Sequence, residues 1–140
     1  DESSVYQIFE RLNSGGRDLK PQEIRACIYY GEFNELLTKL VNTHSWRAIF
    51  GKKPDIRLKE QELVLRFFSL LYDRVNYEKP LKGFLNSFMS KNQHLEKINE
   101  EEFSNTFKST FDFIVRTIEN QPLFLSFQVL FPYYFQNLNR

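Results

Sequence analysis

Several kinds of residue are scarce in this chain, and each scarcity excludes something. There is one cysteine, Cys27, in 140 residues. An internal disulfide framework is therefore excluded, and a reducing, cytoplasmic setting is the expected one. The two histidines, His44 and His94, lie in separate polar connectors with no cysteine or carboxylate at ligand spacing, so no metal site is expected. No apolar run reaches the roughly 18 residues that a bilayer-spanning helix needs, and the N-terminus carries no signal-peptide pattern. Charge of one sign is lacking too. Lys and Arg number 19 against 18 Asp and Glu, a formal charge of +1, whereas a dedicated electrostatic binder of nucleic acid carries a larger excess or a strong local patch. There is no Gly-x-x-x-x-Gly-Lys-[Ser/Thr] loop, no Gly-x-Ser-x-Gly elbow, and no histidine close to Cys27 in sequence. The chain holds no complete catalytic constellation, so no catalytic residue is assigned.

Aromatic carbon is what the chain has in quantity. With 15 Phe and 7 Tyr in a sequence that is 41% hydrophobic, a single packed core is within reach and intrinsic disorder is disfavoured. The chain opens on DESSVYQIF, already helix-like and without an initiator Met. It is expected to be one helical domain fragment of a longer protein, with a motif-bearing helix–loop–helix region over 1–45 and a helical bundle over 46–140.

Apolar spacing predicts an all-α fold of six to seven helices in an irregular bundle. Val5, Ile8, Phe9 and Leu12 recur at helical intervals and predict a first helix with that face inward. Pro21 and Glu23 suit the first and third positions of a second helix over 21–30, with Ile24, Cys27 and Ile28 inward and Gly31 as its stop. A third helix is expected from Phe33 to Val41, then a connector in which Trp46, Ile49 and Phe50 anchor a short helical turn. Residues 59–75 carry apolar side chains around most of the helix circumference, from Leu63 to Tyr72, and predict the central helix. Another helix follows Pro80, with Leu81, Phe84, Leu85, Phe88 and Met89 apolar. Asn99 is a good N-cap for a last amphipathic helix bearing Phe103, Phe107, Phe111, Ile114 and Ile118. Pro122 closes that helix. The final 123–140 segment reads as a helix, or, from the alternation of Leu125, Phe127, Val129 and Phe131, as a strand; the helical reading agrees with everything before it.

Two stretches invite a functional reading. The first is QIFERLNSGGRDLKPQEIR, residues 7–25, where Gly15-Gly16 separates two helices. An ordinary helix–helix corner accounts for it, since glycine reaches the left-handed conformation that ends a helix. A glycine-rich loop ahead of a helix N-terminus also binds phosphate through free N–H groups, with Arg11 or Arg17 adding charge. The second is the connector holding Arg47, Lys52, Lys53, Arg57 and Lys59 against the single acid Asp55. It reads as a solvated basic linker or as a set of DNA-phosphate contacts.

The stretch VYQIFERLNSGGRDLKPQEIRACIYYGEFNELL resembles the segment Phe-x-Arg-Leu/Ile-Asn-Ser/Thr-Gly-Gly-x-x-Leu-[Ser/Thr]-Pro-x-Glu-Ile/Leu-Arg of the GmrSD-type restriction family. That family is known from the N-terminal domain of type IV restriction enzymes, a ParB/sulfiredoxin-like nucleotidase with a helical extension. The likeness covers about residues 5–41 and continues, less specifically, through W…ELVLRFFSLLY…YEKPLKGFLNSFM. Phe9, Arg11, Asn13, Gly15, Gly16, Leu19, Pro21, Glu23 and Arg25 stand at motif positions, while Lys20 replaces the usual Ser or Thr.

The resemblance implies that this is the helical part of a larger α+β domain in a nucleotide-dependent restriction or phage-defence protein, prokaryotic, acting on modified DNA. Arg11, Asn13, Gly15, Gly16 and Arg17 would contribute to a nucleotide site. Phe9, Leu19, Pro21, Glu23 and Arg25 would be structural. The hydrolytic Asp-Gly-Gln-Gln-Arg run belongs upstream and is not in this chain, nor is the HNH-type nuclease partner. The isolated chain is therefore expected to be inactive. It would hold no cofactor itself, a nucleoside triphosphate belonging to the parent protein. Its partners would be the rest of its own polypeptide and DNA, with no membrane. The alternative is a non-catalytic helical interaction or DNA-contact module.

Overall fold

The computed structural model describes residues 2–12, 19–51 and 53–118. Among the described residues there are seven α-helices and no strand: α1 (Glu2–Leu12), α2 (Pro21–Ile28), α3 (Glu32–Leu40), α4 (His44–Phe50), α5 (Lys59–Asp73), α6 (Leu81–Asn92) and α7 (Glu100–Ile118). A 3-10 turn, Arg74–Asn76, follows α5. The all-α expectation holds. The helix-or-strand alternative for 123–140 and the Gly15-Gly16 corner both lie outside the described residues.

Local chemistry places the helix ends close to expectation. Pro21 opens α2, and the Glu23 carboxylate accepts the Lys20 backbone N–H at 2.7 Å, which occupies a donor left free at the first turn. Asn99 caps α7, its Oδ1 accepting the Glu102 N–H at 2.8 Å. Gly31 acts by closeness of approach. Its φ of 167° is ordinary extended backbone, but a Cβ there would stand 2.7 Å from the Gln93 carbonyl oxygen. Gln93 uses that proximity twice. Its carbonyl accepts the Phe33 N–H at 3.2 Å, and its side-chain amide donates to the Tyr30 carbonyl at 2.8 Å.

α5 packs on α2, α3 and α6, and α7 on α3 and α4. The core between them is aromatic. Phe33 of α3, Phe68 of α5 and Phe103 of α7 form a triangle of rings with centroids 6.3, 5.1 and 4.7 Å apart. Trp46 of α4 extends the cluster, stacked on Phe50 at 4.2 Å and edge-on to Phe111 at 4.9 Å. Each fully buried ring of this kind contributes on the order of 1.5–3 kcal/mol, with a further increment for the tilted and edge-to-face geometry.

Four expectations about facing are corrected. On α1 the apolar stripe points outward, with Val5, Ile8 and Phe9 at 45%, 55% and 41% exposure, and Tyr6 is buried instead at 1%. The Tyr6 ring joins the hydrophobic core cluster while its hydroxyl still reaches the Pro21 carbonyl, a combination that an aliphatic side chain does not offer. On α2, Cys27 is exposed and the inward face is Gln22, Ile24 and Arg25. On α5, Leu70 and Leu71 are exposed, because the neighbouring helices cover only the face of Val64, Leu65 and Phe68. On α7, Val115 is buried where Ile114 and Ile118 were expected to be; these two are only partly covered.

Candidate functional site

The basic side chain that the bundle buries most deeply is Arg25, 2% exposed on α2. Its Nε donates to Asn86 Oδ1 of α6 at 2.8 Å, and its Nη1 donates to Gln22 Oε1 and to Glu62 Oε2 of α5, both at 3.0 Å. Glu62 also pairs with Arg66 one turn along α5. A single guanidinium thus joins three helices, using the rigid planar fork that lysine lacks. Tyr6 of α1 lies within the field of the same cluster. Burial raises its hydroxyl above the ordinary tyrosine value of 10.0, and the Arg25 charge opposes that rise. The Tyr6 hydroxyl donates to the Pro21 carbonyl at 3.5 Å, and the Lys82 ammonium sits 5.0 Å above its ring.

Beside this cluster, Glu23 does two things. It caps α2 and pairs with Arg57 Nη2 at 2.8 Å, tying the 53–58 connector to the start of α2. A second buried carboxylate, Glu60, holds the same connector from the other end. It accepts the Trp46 indole N–H at 2.6 Å, the Asp55 backbone N–H at 3.0 Å, and an Arg47 Nη2 donor. Burial pulls the Arg47 guanidinium below the usual arginine value, though arginine keeps its proton at any physiological pH.

Placement of the sequence candidates follows from this. Of the nucleotide-site set, Arg11 lies in the last turn of α1 with its side chain at the surface. Asn13, Gly15, Gly16 and Arg17 lie outside the described residues. Of the structural set, Phe9 is on the exposed face of α1, Leu19 is packed against the core, and Pro21, Glu23 and Arg25 build and anchor α2. Of the DNA-contact set, Arg47 and Arg57 are engaged with Glu60 and Glu23. Lys53 is exposed, Lys59 is half-buried, and Lys52 lies outside the described residues. The two arginines therefore hold the connector to the bundle.

Sequence reasoning missed Glu62, Asn86, Gln22 and Glu60 as partners of these arginines. They are scattered over three helices, and only the tertiary fold brings them to one place. A faint signal existed in α5, where Glu60, Gln61 and Glu62 precede an apolar run. Among the described residues no group of three His, Cys, Asp or Glu is arranged to hold a metal, and no helix is long and apolar enough to cross a membrane. No family model, curated protein or solved structure matches the chain. What the arrangement does chemically is hold: it contains cations fixed by carboxylates and amides, and it fixes α2 against α5 and α6.

Proposed function

We propose that the chain is the helical part of a nucleotide-dependent restriction or phage-defence protein of the GmrSD type, acting on modified DNA. In this reading the α1–α2 corner is presented to a nucleotide whose hydrolytic residues stand elsewhere in the parent polypeptide. The observation that carries it is the way the motif divides. Its second half, Pro21, Glu23 and Arg25, is built into the bundle through the cap, the Arg57 pair and the Glu62–Asn86 hub. The described part of its first half, Phe9 and Arg11, is at the surface. A motif used only to turn a corner has no need of an exposed arginine. One that offers a loop to a phosphate needs a rigid base and a cation at the surface beside the loop.

The test is made on the parent protein. Asn13→Ala and Arg11→Ala are each expected to lower nucleotide binding and hydrolysis by roughly tenfold or more, with the melting temperature held, as for loss of a charge-assisted contact to phosphate. A fall in melting temperature with activity per folded molecule unchanged makes the corner purely structural and defeats the reading. A second reading, a non-catalytic interaction module, is favoured by one observation: the exposed stripe of Val5, Ile8 and Phe9 on α1.

A further inference from the structure

We propose that α1 is a detachable arm, which opens from the bundle as a unit well before global unfolding and carries its apolar stripe and Arg11 with it. Among the described side chains of α1, Tyr6 alone is buried. Its hydroxyl reaches the Pro21 carbonyl only at 3.5 Å, the long limit of a hydrogen bond. Lys82 caps the Tyr6 ring at 5.0 Å, and its pair with Glu10 at 2.7 Å is exposed on both sides. Exposed pairs of this kind hold weakly and are screened by salt.

The contrast with α5 is large. There Val64, Leu65 and Phe68 are each fully buried, and Phe68 touches the rings of α3 and α7. Local opening is easiest where few apolar contacts must be broken, and among its described side chains α1 buries Tyr6 alone. At 11 residues, α1 is also shorter than a helix that persists alone in water, which takes about 12–15 residues. Once off the bundle it melts. It re-forms by returning Tyr6 to its slot. This inference stands on burial and bonding alone, whatever the corner binds.

Residue-resolved hydrogen exchange on the 140-residue chain under native conditions tests it. Amides of 7–11 are expected to exchange at least about 100-fold faster than those of 64–69. Val64→Ala, a core change on α5, is expected to speed the second set by about tenfold or more while leaving the first within about twofold, because the arm opens without breaking the core. Phe113→Ala, at an exposed ring of α7, should change neither. Equal protection of the two segments in the wild type overturns the proposal. So does a Val64→Ala chain that speeds both segments alike, since 7–11 would then open only with the whole bundle.

Discussion

Two residues show how far single positions control this fold. Gly31→Ala forces a methyl group to 2.7 Å from the Gln93 carbonyl oxygen and 2.9 Å from its Cγ, and the first of these is backbone that cannot swing aside. The junction of α3 with the end of α6 must widen, at a cost of about 1–3 kcal/mol; a denaturant titration reads this directly. Arg25→Met leaves the Glu62 carboxylate, 18% exposed, with only its surface partner Arg66. Because Glu62 keeps some solvent and one cation, the expected loss is about 2–3 kcal/mol, below that of a wholly buried broken pair. Replacing Glu62 by Leu in the same chain should recover much of it, and the double-mutant cycle measures how much. Of this residue-scale detail the sequence made Glu23 legible, because a cap acts within four positions of itself. Arg25 was legible only as a motif position. Its partners Glu62 and Asn86 lie far along the chain, and no local pattern announces them.

At the scale of elements, the existence and order of the helices could be read from apolar spacing, because periods of three and four persist over many residues. Facing was less legible. A helical wheel shows which side is apolar, not which side meets the neighbour, and on α1 the side that meets the core is that of Tyr6. The same helix makes a pH prediction. Burial raises the Tyr6 hydroxyl above 10.0, so the folded chain holds that proton more tightly than the unfolded one. The stabilisation is therefore whole below pH 10 and is lost as the pH rises through the folded value. Tyr6→Phe keeps the ring and removes the proton. Comparing denaturant midpoints at about pH 8 and about pH 11 should show a smaller alkaline loss in Tyr6→Phe than in the wild type. Lys39, raised through Glu100, loses its pairing in the same direction and leaves a residue of sensitivity in both chains.

The connector between α4 and α5 behaves as an element of its own. Glu60 receives an indole, a guanidinium and a backbone N–H, so Glu60→Gln removes the charge that balances Arg47 and one of the acceptor oxygens. About 2–3 kcal/mol is the expected penalty for a broken, largely buried pair. Trp46 is the only tryptophan and is 2% exposed, so its emission should shift to the red as the connector loosens. An unshifted spectrum would mean that Glu60 is dispensable to the anchor.

For the whole molecule, the aromatic triangle decides whether there is a fold. Phe68→Ala removes the ring shared by Phe33, Phe103, Phe107 and Tyr72, at a cost of about 3–5 kcal/mol. Domains of this size are stable by about 5–15 kcal/mol, so this one change should take most of the margin, seen as a melting temperature lowered by tens of degrees or a chain unfolded at 25 °C. The triangle has another side, which concerns how the chain is made. Phe33, Phe68 and Phe103 are spaced at equal intervals along the sequence, one on each of α3, α5 and α7. While the protein is being synthesised, the first two rings emerge and must wait for the third, with apolar surface uncovered until α7 has left the ribosome. A message truncated before Phe103 therefore encodes a sticky intermediate that chaperones must hold, not a smaller version of the same domain.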